Sequence, residues 1–173
     1  MQFHPATVQS STPSPLGLVR LAASPQGLVG LWFDGQRHQP TALLDGPGAW
    51  PEAPGHALMQ EAASQLQQFL HGKRGGFDLP LDLSGGTPFQ QEVWRALLAI
   101  GFGATTTYGT LSQDLGRPRA VRAVGAAVGR NPVSVIVPCH RVLGADGSLT
   151  GYAGGLDRKG ALLAIEGARP LAA

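Results

Sequence analysis

Apolar residues in the first half of the chain form two short runs and then one helical stripe. The runs LGLVRLAAS (16–24) and GLVGLWFDG (27–35) are separated by the turn-forming PQG, which predicts a β-hairpin. The segment 37–55 is dense in proline and glycine and predicts a surface connection. Residues 56–72 predict a helix with one apolar stripe: Leu58, Ala62, Leu66, Phe69 and Leu70. FDLPLDL (77–83) predicts one further strand.

After the SGG of Ser84–Gly86, which marks a predicted domain boundary, the pattern becomes helical. Thr87 suits an N-cap and Pro88 the first helical position. The apolar stripe of this helix is Phe89, Val93, Leu97 and Ile100. Two short helices follow, Tyr108–Leu115 and Pro118–Gly129. Only a short turn separates these two helices, and the second helix carries arginines and small residues. This pattern is typical of a helix-turn-helix. Close packing against another helix explains the same small residues.

The last third of the chain leads from an apolar run to a final helix. VSVIV (133–137) predicts a core strand that ends at Pro138 and Cys139. HRVLGADGSLTGYAGG (140–155) predicts a hairpin that turns at Asp146–Gly147. LDRKGALLAIEG predicts an amphipathic helix, with Gly167 in the C-terminal capping position.

These elements predict an α+β protein with two domains. Residues 1–83 form a small sheet-plus-helix domain, and residues 84–173 form a mainly helical domain with the helix-turn-helix. A single cysteine allows no internal disulfide, which is typical of a reducing compartment. No stretch approaches the roughly 18 apolar residues that span a bilayer, and the start lacks the features of a secretory signal. We therefore expect a cytoplasmic protein without membrane contact.

The net charge of +2 is unevenly distributed. Residues 1–83 carry 4 basic and 6 acidic side chains, whereas residues 84–173 carry 9 basic and 5 acidic ones. No acid lies between Asp114 and Asp146, but five arginines do: Arg117, Arg119, Arg122, Arg130 and Arg141. A local basic surface indicates an anionic partner, with nucleic acid as the first candidate. A solvated arginine-bearing helix explains the charge equally well.

Cys139 lies beside His140 in the segment IVPCHRV. A thiol of ordinary pKa is only a few per cent ionised at neutral pH, so a nucleophilic cysteine needs a basic neighbour. Adjacent residues of a strand point to opposite faces of the sheet. His140 can therefore take the proton of Cys139 directly only if the backbone bends there, and otherwise it must act through a water. An inert buried thiol explains Cys139 equally well. No zinc site is expected, because the other histidines are scattered without a second cysteine: His4, His38, His56 and His71.

Residues 131–167 resemble the active-site region of the O6-alkylguanine-DNA alkyltransferase family, with the core motif PCHR. The resemblance runs from about Thr87 to Glu166 and includes, in order, VWRALLAI, TYGTLS, AVRAVGAAVGRNP and PCHR. The N-terminal part resembles the variable domain of these proteins. Because the family removes alkyl groups from the O6 atom of guanine, the resemblance implies a direct-reversal DNA-repair methyltransferase.

The resemblance assigns the acceptor role to Cys139, whose thiolate attacks the alkyl carbon and displaces guanine. The resulting thioether is permanent, so each protein molecule acts once, without a metal or other cofactor. His140 matches the family's base, which works through a water, and Glu166 matches the carboxylate that orients it. Asn131 matches the asparagine that braces the turn before the active-site segment.

The partner that the resemblance implies is double-stranded DNA containing O6-alkylguanine, with the target base rotated out of the stack. Arg122 matches the arginine that takes the place of the extruded base, and Tyr108 matches the tyrosine that helps rotate the neighbouring phosphate. The helix-turn-helix is expected in the minor groove. The substrate pocket is expected at Tyr108 and four further residues: Val128, Val142, Tyr152 and Ala153. We expect a monomer, and cooperation of several copies along DNA stays open.

Some positions depart from the family pattern. Ala153 stands where several members have serine, so backbone N–H groups must donate to O6 in its place. Ser134 stands where some members have a proline at the pocket rim, which leaves the tolerance for bulky alkyl groups open. The N-terminal zinc ligands of some members are absent from this sequence.

Three other functions remain compatible with parts of the sequence. A non-catalytic lesion-binding relative lacks the acceptor cysteine that this chain has. A helix-turn-helix regulator with an inert thiol predicts sequence-specific DNA binding. A cysteine hydrolase predicts repeated turnover on esters or amides. The sequence does not rank methyl against larger groups, and it leaves activity on O4-alkylthymine, the rate and any further role of residues 1–83 open.

Overall fold

The computed structural model describes residues 1–43 and 46–168. Residues 44–45 of the predicted connection and residues 169–173 of the predicted C-terminal domain lie outside the described residues. The fold is α+β, as predicted, with a three-stranded antiparallel sheet in the order β1-β2-β3. The predicted hairpin is confirmed: β2 (Val19–Ser24) pairs with β3 (Gly27–Phe33), and Ala22/Ala23 carry a β-bulge.

Strand β1 (Val8–Thr12) precedes the predicted hairpin, and the apolar pattern of the sequence did not indicate it. It pairs antiparallel with β2 from Val8–Ala23 to Thr12–Val19. Backbone hydrogen bonds to β2 hold the strand, and these bonds do not require apolar side chains. Because most of its residues are polar, the hydrophobic pattern did not predict it.

Helix α1 (Ala57–Leu70) packs one face against this sheet, as its apolar period predicts. Six side chains on that face are buried: Met59, Ala62, Gln65, Leu66, Phe69 and Leu70. Gly72 follows the helix with a φ of 68°, a conformation that favours glycine. The connection before α1 includes one 3-10 turn, Thr41–Leu43.

The prediction of a strand at 77–83 is wrong. Only one isolated bridge forms there, between Leu28 and Leu81. Pro80 has no N–H to extend a ladder, although its carbonyl accepts a hydrogen bond from Leu28 N at 2.8 Å.

Helix α2 (Pro88–Leu98) begins with a complete capping box, in agreement with the predicted start. Gln90 N donates to Thr87 Oγ1 at 3.3 Å, and Thr87 N donates to Gln90 Oε1 at 3.0 Å. On the buried face of α2, Trp94 Nε1 donates to the carbonyl of Ala127 at 2.9 Å. This bond fixes α2 against the helix that carries the predicted DNA contacts.

Helices α3 (Tyr108–Asp114) and α4 (Val121–Gly129) form the predicted helix-turn-helix, with Gly116 in the turn at a φ of 67°. Helix α4 begins at Val121 instead of Pro118. The reason is a turn in the preceding residues, where Ala120 N donates to the carbonyl of Arg117 at 2.8 Å.

The segment 133–137 is a series of tight turns, so the prediction of a core strand there is wrong. Val135 has a φ of 72°, which is uncommon for a β-branched residue and incompatible with an extended strand. A two-residue strand β5 (Val142–Leu143) pairs parallel with β4 (Thr106–Thr107). The predicted turn at Asp146–Gly147 forms, with Gly144 N bonded to Ser148 O at 2.9 Å, but no second strand follows it.

Helix α5 (Leu156–Ile165) ends at Glu166, and Gly167 has a φ of 62°, as the capping prediction requires. One cluster of buried apolar side chains joins both halves of the chain; it includes Leu31, Phe69, Trp94, Val124 and Leu162. Within the described residues, no helix has both the length and the apolar character for a membrane span.

Candidate active site

The acceptor candidate lies in a 3-10 turn, Cys139–Arg141, which follows Pro138. Cys139 N donates to Val137 O at 2.8 Å and Arg141 N donates to Pro138 O at 3.0 Å. This tight turn replaces the strict alternation of a strand. Within the described residues it forms no hydrogen bond between Cys139 Sγ and His140, so action of His140 through a water stays a prediction.

Asn131 connects the end of α4 to this turn. Its Nδ2 donates to Cys139 Sγ at 3.1 Å and to the carbonyl of Val137 at 2.8 Å. Its Oδ1 accepts from Val133 N at 3.0 Å. The side chain is buried, with 3% of Asn131 exposed. Asn131 therefore fixes the loop that precedes the turn, and its side-chain N–H donates a hydrogen bond to the sulfur.

His140 is fully buried, and its Nε2 lies 2.7 Å from Glu166 Oε1. Burial lowers the pKa of His140, against the opposing effect of Glu166. The imidazole is therefore neutral at pH 7, and Nε2–H donates to the carboxylate. Nδ1 then carries the lone pair, and within the described part of the chain this atom has no hydrogen-bond partner.

Glu166 receives hydrogen bonds from three groups, and sequence reasoning found only one of them. Besides His140, Arg141 Nε donates to Oε2 at 2.9 Å and Gly103 N donates to Oε2 at 3.2 Å. Burial raises the pKa of Glu166, but the bonds from His140 and Arg141 outweigh it and lower the value to about 2. Arg141 also donates to the carbonyl of Ile100. The carboxylate is thus ionised and held in one orientation.

Cys139 is 6% exposed, and burial raises its pKa to about 11 despite the opposing hydrogen bond from Asn131 and the charge of Lys159. The resting sulfur is therefore a thiol, and attack on carbon requires removal of its proton. An adjacent neutral imidazole with a free Nδ1 is a suitable base for that step.

An open cleft of about 460 Å³ lies at the exposed face of α4, and its wall includes Tyr108 and Arg122. Burial and, next, the negative charge of an ionised Cys139 raise the pKa of Tyr108. Gly125 faces the tyrosine ring, and a Cβ there would lie 3.7 Å from it. Arg37 and His38 of the N-terminal part also line the cleft, which the sequence did not indicate.

The five arginines of the acid-free segment divide into two groups. Arg141 is buried on Glu166, and Arg117 pairs with Glu92 at 2.8 Å. The other three are exposed and form no ion pair with the described residues: Arg119, Arg122 and Arg130. The exposed part of α4 otherwise consists of small residues and Val121, so its backbone is accessible to a partner.

The other predicted pocket residues differ in burial. Val128 and Val142 are buried, with 2% and 0% exposed, whereas Ala153 is half-buried. Tyr152 is 4% exposed, and its hydroxyl has no hydrogen-bond partner among the described residues. Tyr152 and Ala153 both lie in the loop that precedes α5, where the Ala153 carbonyl accepts from Arg37 N at 3.1 Å.

Residues that could hold a metal are not grouped in the described ranges: no cluster of three or more His, Cys, Asp or Glu side chains occurs there. Among the described residues, the one hydrogen bond to Cys139 Sγ comes from Asn131 Nδ2.

The fold and the site define a class of protein: a helix-turn-helix whose second helix consists mainly of small residues and is followed by Asn131, which bonds to a buried cysteine. Residues 88–168 match the family model of the 6-O-methylguanine DNA methyltransferase DNA binding domain, and residues 7–83 match that of its ribonuclease-like domain. The chain therefore belongs to the 6-O-methylguanine DNA methyltransferase family, as the resemblance in its sequence predicts.

Individual relatives support the same assignment along most of the chain. The methylated-DNA–protein-cysteine methyltransferase of Mycolicibacterium paratuberculosis is 45% identical over 153 residues, which is 88% of each chain. The inducible enzyme of that name from Bacillus subtilis is 44% identical over 145 residues, or 80% of each. A crystal structure of Mycobacterium tuberculosis OGT in complex with DNA superposes with a TM-score of 0.81, at 43% identity and 91% coverage of each chain.

Proposed function

We propose that this protein repairs DNA by transferring a methyl or other alkyl group from the O6 atom of guanine to Cys139. The observation that carries the proposal is the buried sequence of contacts from Asn131 to Cys139 and from His140 to Glu166. It combines a single thiol, an N–H donor on its sulfur and an oriented neutral imidazole. The relatives' shared name, methylated-DNA–protein-cysteine methyltransferase, describes the same chemistry.

The reaction is one displacement at saturated carbon. His140 Nδ1 takes the thiol proton, directly or through a water, and the Cys139 thiolate attacks the alkyl carbon. The S–C bond forms as the C–O6 bond breaks, and the electron pair moves onto the guanine, which takes up one proton. The thioether does not hydrolyse, so the protein is consumed at one alkyl group per molecule. Glu166 orients the His140 imidazole and stabilises its protonated form.

The target base must leave the duplex, because O6 is not accessible to a buried sulfur inside the base stack. In the proposal α4 enters the minor groove, where its small exposed residues allow close approach. Arg122 replaces the extruded base, and Tyr108 rotates the neighbouring phosphate. The base then enters beside Tyr108, whose hydroxyl makes weak 3.4 Å bonds to the carbonyls of Thr150 and Gly151.

The pocket residues receive the everted base in this proposal: Val128 and Val142 contact its faces, and Tyr152 and Ala153 bound its O6 edge. We propose that residues 84–173 are the DNA-binding and acceptor domain and that residues 1–83 support it. A protein that acts on DNA works in the compartment that holds the DNA, and we propose that it acts there as a monomer.

The experiment is a titration of the protein with a duplex containing one O6-methylguanine. After enzymatic digestion of the DNA, restored guanine should equal the active protein and stop at one equivalent, and the Cys139→Ser variant should restore none. Repeated turnover would indicate a hydrolase and contradict the proposal. Tight binding of the lesion without any restored guanine would identify a lesion-binding protein instead.

A further inference from the structure

A buried side-chain hydrogen bond links the N-terminal part of the chain to the loop 132–138 that leads to Cys139 (the acceptor loop). Ser134 Oγ donates to Gln36 Oε1 at 3.0 Å, although the two residues lie 98 positions apart along the chain. Both are buried, with 5% of Gln36 and 1% of Ser134 exposed. A buried polar group that loses its partner is destabilising, so each side chain depends on the other. Neither side chain takes part in the proposed transfer.

Gln36 is fixed to the end of the N-terminal sheet. Its backbone N–H donates to the carbonyl of Phe33, the last residue of β3, at 3.0 Å, and its Oε1 accepts from Phe33 N at 3.3 Å. The same strand contacts the acceptor loop through its backbone. Leu31 N donates to Pro132 O, and Ser134 N donates to Leu31 O, both at 2.9 Å. The sheet therefore holds the acceptor loop by two backbone bonds, to which Gln36 adds a side-chain bond.

The acceptor loop needs this support because its backbone is strained. Val135, the residue after Ser134, has a φ of 72°. A β-branched residue keeps this left-handed conformation only where the surrounding contacts fix it. On one side Asn131 Oδ1 accepts from Val133 N at 3.0 Å, and on the other side Ser134 is held by β3 and Gln36. Relaxation of this strain would displace the turn that carries Cys139.

We propose that Gln36 is a positioning residue for the alkyl transfer: its bond to Ser134 fixes the acceptor loop and so places the Cys139 sulfur opposite the everted base. The inference rests on the proposed function, since it concerns the same reaction. Displacement at saturated carbon needs the sulfur, the carbon and O6 in line, and a misplacement of about 1 Å costs on the order of 100-fold in rate. The N-terminal part thus contributes to the rate of the reaction as well as to the stability of the fold.

The test measures single-turnover methyl transfer at saturating duplex, per active protein, for the wild type, Gln36→Met, Gln36→Glu and Gln39→Met. Methionine has about the length of glutamine but lacks its acceptor oxygen, whereas glutamate keeps an acceptor. Gln39 is the matched control, because its Nε2 donates to the carbonyl of Phe33 at 2.6 Å. Among the described residues, the Gln39 side chain makes no hydrogen bond to the acceptor loop.

Gln36→Met should transfer the methyl group about tenfold more slowly than the wild type. Gln36→Glu and Gln39→Met should stay within about threefold of the wild-type rate. The dissociation constant of the duplex should change by less than about twofold in every variant, because the loss concerns the reaction step and not the binding of DNA. A wild-type transfer rate in Gln36→Met, or equal slowing in Gln39→Met, would overturn the inference.

A double variant tests the hydrogen bond itself. Ser134→Ala removes the bond from its other end and should also slow transfer about tenfold. Gln36→Met added to Ser134→Ala should slow transfer by less than about threefold further, because the bond is already lost. Single effects that multiply to about 100-fold would show that the two side chains act independently, and would overturn the inference. If Gln36→Met does not fold, Ser134→Ala takes its place in the comparison of rates.

Amide hydrogen exchange tests the acceptor loop without any DNA. The N–H groups of Ser134, Val137 and Cys139 are all hydrogen-bonded to backbone carbonyls. They should exchange about tenfold faster in Gln36→Met and at the wild-type rate in Gln39→Met. Wild-type exchange in Gln36→Met would overturn the inference. A wild-type protein that takes no methyl group from damaged DNA, while these amides exchange faster in Gln36→Met, would contradict the proposed function alone.

Discussion

The side-chain amide of Asn131 lies 3.1 Å from Cys139 Sγ and 2.8 Å from the carbonyl of Val137. One residue just after helix α4 thus stabilises both the sulfur and the backbone that presents it. Because α4 also carries Arg122, the group proposed to contact the duplex and the group that contacts the acceptor belong to one continuous segment.

Asn131→Ala should therefore slow methyl transfer and destabilise the fold together. The substitution leaves the buried N–H of Val133 without its Asn131 Oδ1 acceptor, which costs about 1–3 kcal/mol, and transfer should fall at least about tenfold with the loss of a bond to the thiolate. Single-turnover transfer and urea unfolding measure the two effects. Asn131→Asp keeps the shape but places a negative charge beside the sulfur, so its transfer should be slower still. Faster transfer in the aspartate variant would contradict the role of the N–H donor.

Glu166→Gln should change the pH dependence of stability. The folded-state pKa of Glu166 is lowered to about 2 from 4.5, so its ionised form stabilises the protein above pH 4.5. That contribution, of order 3 kcal/mol, is lost as the pH falls from 4.5 toward 2. Urea unfolding of Glu166→Gln should be correspondingly flatter in this range. Glu52→Gln, at an exposed acid, is the control. If the free energy of unfolding of Glu166→Gln fell as steeply below pH 4.5 as that of the wild type, the carboxylate would not be held as described.

Arg122→Ala should slow repair of duplex DNA much more than transfer from a free O6-alkylated guanine base. The arginine offsets part of the unstacking cost, so its loss should reduce the duplex rate by about 30-fold, or about 2 kcal/mol, and leave the free-base rate within about twofold. Arg119→Ala, at another exposed arginine of the helix-turn-helix, controls for general loss of charge. Equal slowing on both substrates would contradict the assignment of Arg122.

Ala153→Ser should increase methyl transfer. A serine hydroxyl at this half-buried position adds a donor near the expected O6 edge. One neutral hydrogen bond is worth about 0.5–1.5 kcal/mol, or roughly 2-fold to 13-fold in rate. Ala153→Val, which adds volume without a donor, is the control. Equal rates for alanine and serine would show that backbone N–H groups already satisfy O6.

The helices could be predicted because their determinants are local. The capping box of Thr87, the apolar stripe of α1 and Gly167 after α5 each lie within a few residues of the feature that they define. The catalytic turn could not be predicted, since Val135 and its neighbours look like a buried strand. Their turn depends on a left-handed Val135 and on hydrogen bonds to the Asn131 side chain.

The site residues separate in the same way. Cys139 and His140 were singled out as a thiol beside an imidazole, and Glu166 and Asn131 through the family resemblance. The structure joins them in two hydrogen-bonded pairs, Asn131 with Cys139 and His140 with Glu166. Arg141 and Lys159 were missed, because a charged residue in an apolar segment does not reveal which buried carboxylate or carbonyl it meets. In physical terms, those partners lie 25 and 17 residues away along the chain.

The central claim is that the sulfur of Cys139 takes the alkyl carbon and keeps it. The most direct measurement is the mass of the Cys139 peptide after incubation with a duplex that contains O6-methylguanine. The account predicts a gain of one methyl group on that cysteine and on no other residue, with none after incubation with undamaged DNA. An unmodified Cys139 peptide from folded protein, beside DNA that has lost its methyl group, would contradict it.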